Sequence, residues 1–419
     1  MDKCVDKILI GHSDSCQICT SRNLQQVIDM GFFAPCDSLL TKDMLKRPEK
    51  SYPLNLVRCR DCGLVQIDYA VDGKELFYPE YPYRSGITET LKKNLHGISS
   101  HMVDKLGLAK NSFVIDIGSN DGTILEGFKN TGMRVLGVEA TNIADIANSN
   151  GIQTLKEFFS LPVAEKIVNK YGKASLVTAA NVFAHVNDFC GLTRGINHLL
   201  EEGGVFISES HYQLDILETL QYDSIYHEHL RYYLIKPLIK FFADQGFTLI
   251  DAERIPNYGG SIRVYAKKGS NHKVSENVAK LIELEEKVGA YQEDTYKEFA
   301  ERIEKSRQDL RELLVKLKSE GKTIVGIGCP GRSATLLKFC GITPDLLPYI
   351  AEQSTSLKLG MFTPNTHIPV VDEAIMLKEQ PDYALILSWH YAAPIIKNVR
   401  NKGLRSKIIV PLPEVKVVE

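Results

Sequence analysis

Between Tyr222 and Tyr233 the chain reads Tyr-Asp-Ser-Ile-Tyr-His-Glu-His-Leu-Arg-Tyr-Tyr. Two histidines, neighbouring carboxylates and several phenols within a dozen residues exceed what packing needs. A histidine beside a carboxylate titrates near neutral pH and suits proton transfer. The cluster, with His227 and His229 on either side of Glu228, is therefore a candidate for acid/base work, and Tyr222 is a candidate substrate contact. A metal reading of His227, Glu228 and His229 is weaker. Adjacent residues seldom aim at one ion, and the helical H-E-x-x-H spacing is absent. A further histidine, His185, stands in Asn181-Val-Phe-Ala-His-Val186.

Two C-x-x-C knuckles, Cys16-Gln-Ile-Cys19 and Cys59-Arg-Asp-Cys62, offer four thiolates, enough for one tetrahedral zinc. With every position filled by protein, such a zinc is structural. The 39 residues between the knuckles exceed the usual ribbon spacing, so a segment from about Leu24 to Tyr52 is expected to loop out.

Phe113-Val-Ile-Asp-Ile-Gly-Ser-Asn-Asp-Gly-Thr-Ile-Leu125 predicts a buried strand, a tight glycine turn and a helix starting near Thr123. This opens a nucleotide-binding α/β unit. The spacing is not the dinucleotide G-x-G-x-x-G. D-x-G-x-x-x-G, with Asp116, Gly118 and Gly122 and with Asn120 at the middle position, is closer to the S-adenosylmethionine (SAM) site of class I methyltransferases. Glu139, ending the next strand, is placed to grip a ribose diol. Asn181 and His185 follow the fourth strand and so fall at the mouth of the site, with Asn181 on the cofactor side.

These residues need elements to hold them. The pattern gives helix Ile143 to Asn150, helix Leu161 to Tyr171, strand Ala174 to Ala179, strand Val205 to Glu209, helix Lys236 to Gln245 and two closing strands. A charged helical stretch from Lys273 to Glu320 follows. Thr323-Ile-Val-Gly-Ile-Gly-Cys-Pro-Gly-Arg332 then starts a second strand–turn–helix unit. Its turn fits a phosphate at a helix N-terminus, with Arg332 adding charge. Ser388-Trp-His-Tyr391 lies at the next strand end. Before the central unit, Tyr-Pro-Glu-Tyr-Pro-Tyr-Arg (78–84) predicts an extended strip presenting phenols and an arginine, including Tyr81, Tyr83 and Arg84. The fold class is α/β in three parts. Residues 1–85 form a zinc-binding module, 86–270 a Rossmann-like central domain, and 271–419 a helical linker with a second Rossmann-like domain.

The whole-chain charge bounds the partners. At 419 residues and a formal charge of −2, the chain has no electrostatic case for nucleic acid. No run of 18 apolar residues and no signal-peptide pattern occur, so the expectation is a soluble cytoplasmic protein without membrane partners. The three-part plan permits a monomer.

Taken in order, the four-cysteine module, D-I-G-S-N-D-G with its following V-E-A, N-V-F-A-H-V, Y-H-E-H-L-R-Y-Y, G-G-S-I-R and G-C-P-G-R resemble one family over essentially the whole chain. It is that of the SAM-dependent C-methyltransferases of branched-chain deoxysugar biosynthesis. That resemblance implies methylation at C-3′ of a nucleotide-linked 4-keto-deoxysugar carrying dTDP, GDP or CDP. It implies Tyr226, Glu228, His229 and His185 as active-site residues, with Tyr83, or else Tyr81, as the family's amino-terminal tyrosine. The carboxyl-terminal domain would bind no SAM and help hold the sugar nucleotide. Carbon is a poor nucleophile, so His229 is expected to remove the α-proton with Glu228 orienting it, while Tyr226, Tyr83 or His185 supplies donors to the enolate oxygen. An O- or N-methyltransferase on a nucleotide sugar is the rival reading, and a SAM-binding regulatory protein is a second. The paired histidine and carboxylate groups weigh against the regulator.

Overall fold

The computed structural model describes residues 8–77 and 89–419, with the side chains of 89–91 excepted. Tyr81, Tyr83 and Arg84 lie outside the described residues.

A seven-stranded sheet forms the centre. Phe113–Ile117 is buried at every position, as the apolar run requires. It pairs in parallel with Arg134–Val138 on one side and Ala174–Ala180 on the other. Thr154–Leu155 and Leu200–His211 extend the parallel array. Ser261–Lys268 then inserts antiparallel between Leu200–His211 and Phe247–Ile255. This inserted last strand distinguishes the class I methyltransferase sheet from a dinucleotide-binding one. Parallel pairing brings the carboxyl ends of these strands to one edge, where ligands bind in open α/β sheets.

The amino-terminal sheet corrects one expectation. The segment after the first knuckle loops out only over residues 34–51: Leu24–Phe33 and Tyr52–Cys59 are antiparallel partners, joined by Val65–Ile67. Register shifts between Gln26 and Ile28 and between Asp29 and Phe32 break the two-residue alternation, which hid the strand in the sequence. The fourth strand of this sheet is Arg231–Tyr232, from the far end of the histidine-rich stretch. Arg231 pairs with Gln66 and Tyr232 with Val65.

The charged stretch after the central sheet is two helices, Glu276–Lys287 and Glu293–Ser319, broken near Gly289, which adopts φ 75°. The second buries Tyr296, Phe299, Ile303, Leu310, Leu314 and Leu317 on one stripe. A six-stranded sheet follows, parallel from Val370–Asp372 through Ile350–Glu352, Ile324–Ile327 and Tyr383–Ile386 to Lys407–Val410, with Lys416–Val418 antiparallel at its edge. Among the described residues no helix is long and apolar enough to cross a membrane.

Candidate active site

The cofactor end is a cradle that side chains would fill. Gly118 turns with φ 69°, and a Cβ there would stand 2.3 Å from Val182 Cγ2. Gly122 has φ 78° and lies against Ile152. L-residues with a side chain pay for both conformations. Glu139 reaches back to this turn: its Oε2 accepts from Asn120 N at 3.0 Å, and its Oε1 accepts from Thr141 N and Oγ1. Asp116 accepts from Thr178 Oγ1 at 2.6 Å, and burial pushes its carboxyl up to about 7. Asn181 stands in the left-handed region at φ 54°, its N bonded to Glu209 O. Its buried Oδ1 has no hydrogen-bond partner among the described residues. Open backbone, a fixed carboxylate at the second strand tip and this orphan acceptor fit a SAM-sized adenosyl ligand.

Beside this cradle the imidazoles converge. His185 and His229 have ring centroids 4.9 Å apart, and His211 and His229 4.4 Å. His229 Nδ1 donates to Ser224 O at 2.8 Å, and Tyr226 OH donates to Nε2 at 2.9 Å. The carbonyl can only accept, so the tautomer is fixed with the proton on Nδ1. Burial drives His229 well below the ordinary imidazole value, with neighbouring His211 and His185 adding to the effect. It also lowers His185 to about 4 and His211 to about 3. All three rings are thus held neutral. The Nδ1 atoms of His185 and His390 are buried without partners among the described residues.

Glu228 departs from the sequence expectation. It turns away from His229, and its Oε1 takes the Cys36 thiol at 3.4 Å. Burial, then the charge of Asp37, pushes its carboxyl up to about 8. Orientation of His229 falls to a backbone carbonyl, because the tight turn from Tyr226 to His229, closed by His229 N donating to Tyr226 O at 2.9 Å, carries Glu228 away from the imidazole. His227 faces the amino-terminal sheet and donates from Nε2 to Pro53 O at 3.1 Å.

Two substrate expectations land elsewhere. Tyr222 is fully buried, its hydroxyl 3.4 Å from Cys340 Sγ and its ring against Phe339, so it packs on the carboxyl-terminal domain. Arg332 spends its guanidinium on Asp223, Gln221 Oε1 and Tyr258 O instead of lying open to a phosphate. A buried guanidinium needs such partners. Sequence reasoning ended the strand at Glu209 and so missed His211, two residues on. His390 approaches from the carboxyl-terminal domain closely enough for its pKa to feel His211.

The four knuckle cysteines gather as expected. Their ligand atoms all lie within 4.8 Å of one another, with Cys16 and Cys62 sulfurs 3.5 Å apart and Cys19 and Cys59 likewise. Four free thiols at this separation fit a tetrahedral zinc held by Cys16, Cys19, Cys59 and Cys62.

Family models match in the same order: a zinc binding domain over residues 16–77, a methyltransferase domain over 85–252 and a C-methyltransferase C-terminal domain over 256–413. The C-methyltransferase NovU of Streptomyces niveus is 32% identical over 411 residues, covering 97% of each chain. The chain belongs to the C-methyltransferase family. It is a SAM-dependent methyltransferase with a zinc-binding amino-terminal domain, and its central sheet is the class I fold. Two solved methyltransferases resemble part of this C-methyltransferase. Magnesium protoporphyrin IX methyltransferase from Synechocystis is 12% identical, covers 42% of this chain and 79% of its own, and gives a TM-score of 0.32. The 1,6-didemethyltoxoflavin-N1-methyltransferase of Burkholderia thailandensis is 18% identical, covers 43% of this chain and 80% of its own, and gives 0.33.

Proposed function

We propose that this C-methyltransferase adds a methyl group to C-3′ of a nucleotide-linked 4-keto-deoxysugar, through an enolate generated by His229, in branched-chain deoxysugar biosynthesis. The observation that carries the reading is the state of His229: buried, neutral, proton committed to Ser224, and its basic Nε2 beside Tyr226 OH.

Bound SAM supplies an electrophilic methyl group. The chain supplies everything needed to make carbon nucleophilic. Tyr226 OH bonds Nε2 in this structure. A ketone oxygen that takes over that hydrogen bond frees Nε2 for the neighbouring α-proton, so one displacement arms both groups. The proton leaves carbon for Nε2, and the C–H electrons become the enolate, whose oxygen is stabilised by Tyr226 and His185 and by Tyr83 from the amino-terminal strip. Burial makes His229 a weak base that is unprotonated at neutral pH, so much of the acidity must come from those donors. Glu228, raised by burial, stays a neutral acid beside Cys36, close enough for its charge to act on Tyr226. Asp116, Gly118, Asn120, Gly122, Glu139 and Asn181 hold the cofactor, and alignment of its methyl with the enolate carbon carries part of the rate. Zinc takes no part in the step.

In this reading 1–85 is the zinc module, 86–270 the SAM domain and 271–419 the linker and nucleotide-holding domain, and Tyr81 and Arg84 border the sugar. The site suits a cytoplasmic pool of activated sugars. Incubation with SAM and a panel of dTDP-, GDP- and CDP-linked 4-keto-6-deoxyhexoses tests it. Methyl gain at carbon, located by NMR, supports the reading. Methyl gain at oxygen or nitrogen moves it to the rival O- or N-transfer.

A further inference from the structure

The loop carrying Tyr226 and His229 is tied from two sides. Its far end is a strand of the zinc module, where Arg231 and Tyr232 pair with Gln66 and Val65. Its near end is tied to the carboxyl-terminal domain through one carboxylate. Asp223 is fully buried. Its Oδ2 takes Arg332 Nε at 2.8 Å and its Oδ1 takes Arg332 Nη2 at 2.7 Å, a bidentate pair. Trp389 Nε1 adds a third N–H to Oδ2 at 2.7 Å. Thr335 Oγ1 reinforces the junction by donating to Ile225 O at 3.1 Å.

The two donors come from the two turns that end neighbouring parallel strands, Ile324–Ile327 and Tyr383–Ile386. Arg332 closes the G-C-P-G-R turn, and Trp389 opens the Ser388-to-Tyr391 turn. Asp223 is followed directly by Ser224, whose carbonyl fixes the tautomer of His229. We propose that Asp223 is a positioning residue through which the carboxyl-terminal domain sets the tautomer and aim of His229. The chain of contacts is short: Arg332 and Trp389 hold Asp223, the peptide holds Ser224 O, and Ser224 O holds Nδ1–H. This explains why the buried pair is ionic. A bidentate fork defines orientation, whereas apolar packing at the same place would let the loop slide. The inference rests on His229 being the base, but its structural half can be read without any substrate.

The test is ¹⁵N NMR of histidine-labelled protein, with His229→Asn assigning the signal. Wild type shows one neutral tautomer with the proton on Nδ1. Asp223→Asn, which loses the charge and one acceptor, shows a mixed tautomer. Turnover on a dTDP-linked 4-keto-6-deoxyhexose falls about 30-fold or more, while SAM affinity stays within about twofold. Trp389→Phe removes only the single indole donor, and it replaces Asp223→Asn should that variant not fold. It moves both readouts in the same direction by less, and since Trp389 is the chain's only tryptophan, its wild-type emission reports the intact contact. An unchanged tautomer in both variants overturns the proposal. A mixed tautomer with unchanged turnover keeps the positioning role and removes His229 as the base.

Discussion

His229 donates its Nδ1–H to the carbonyl oxygen of Ser224 at 2.8 Å, five residues earlier in the same loop. That one bond leaves Nε2 as the basic nitrogen and turns it toward Tyr226. His229→Ala is therefore expected to lower kcat by about 10²- to 10⁴-fold, the range of a lost general base. SAM affinity, measured by calorimetry, stays within about threefold because Gly118, Gly122 and Glu139 are untouched. Tyr226→Phe, which keeps the ring and removes the donor, falls between wild type and His229→Ala in the same assay.

The pH profile of kcat/KM follows from two shifts. His229 is active when neutral, and burial places its protonation well below the ordinary 6.5. Activity therefore persists as pH falls past 6.5 and is lost only lower. Glu228 is neutral below about 8 and ionises above it. Activity falls as pH rises through that value. Glu228→Gln, which stays neutral, removes the alkaline limb. A limb that persists in the variant assigns it to another group.

Zinc removal reaches the active site although the metal lies outside it. Arg231–Tyr232 is a strand of the sheet anchored by Cys59, so loss of the metal loosens the loop holding His229. Structural zinc sites contribute on the order of 10 kcal/mol of binding free energy to folding. A strong chelator is expected to lower the melting temperature and abolish turnover together, and added zinc restores both. Cys16→Ser reproduces the loss.

Gly118→Ala tests the cofactor cradle. The new Cβ would meet Val182 Cγ2 at 2.3 Å in a left-handed backbone conformation. Strain of about 1–3 kcal/mol and the clash weaken SAM binding by about 10- to 100-fold in calorimetry. Gly97→Ala, with nothing within 4 Å of the added Cβ and an ordinary φ, leaves affinity unchanged.

Much of this architecture was legible because the signals are local. Phe113–Ile117 and Leu161–Tyr171 stand where their apolar patterns put them. The cysteine pairs met because metal-ligand spacing encodes proximity. What failed depends on tertiary partners. Leu24–Phe33 lost its alternation to bulges. Glu228 looked like the partner of its neighbour His229, yet the turn from Tyr226 to His229 sends it to Cys36. Arg332 looked ready for phosphate, and only the folded chain brings Asp223, 109 residues away, onto it. Ser224 orients His229 through its backbone, which no side-chain motif can announce. His211 was within reach of the strand-end rule and was missed because the strand ran two residues longer than its apolar core.

The central claim, removal of a carbon-bound proton by His229, is tested most directly by solvent exchange. The enzyme is incubated in deuterated water with a 4-keto-6-deoxyhexose nucleotide and no SAM, and the sugar is followed by mass spectrometry and NMR. The account predicts deuterium at the carbon beside the ketone with wild-type enzyme and little with His229→Ala. Deuterium uptake that continues unchanged in His229→Ala would contradict it.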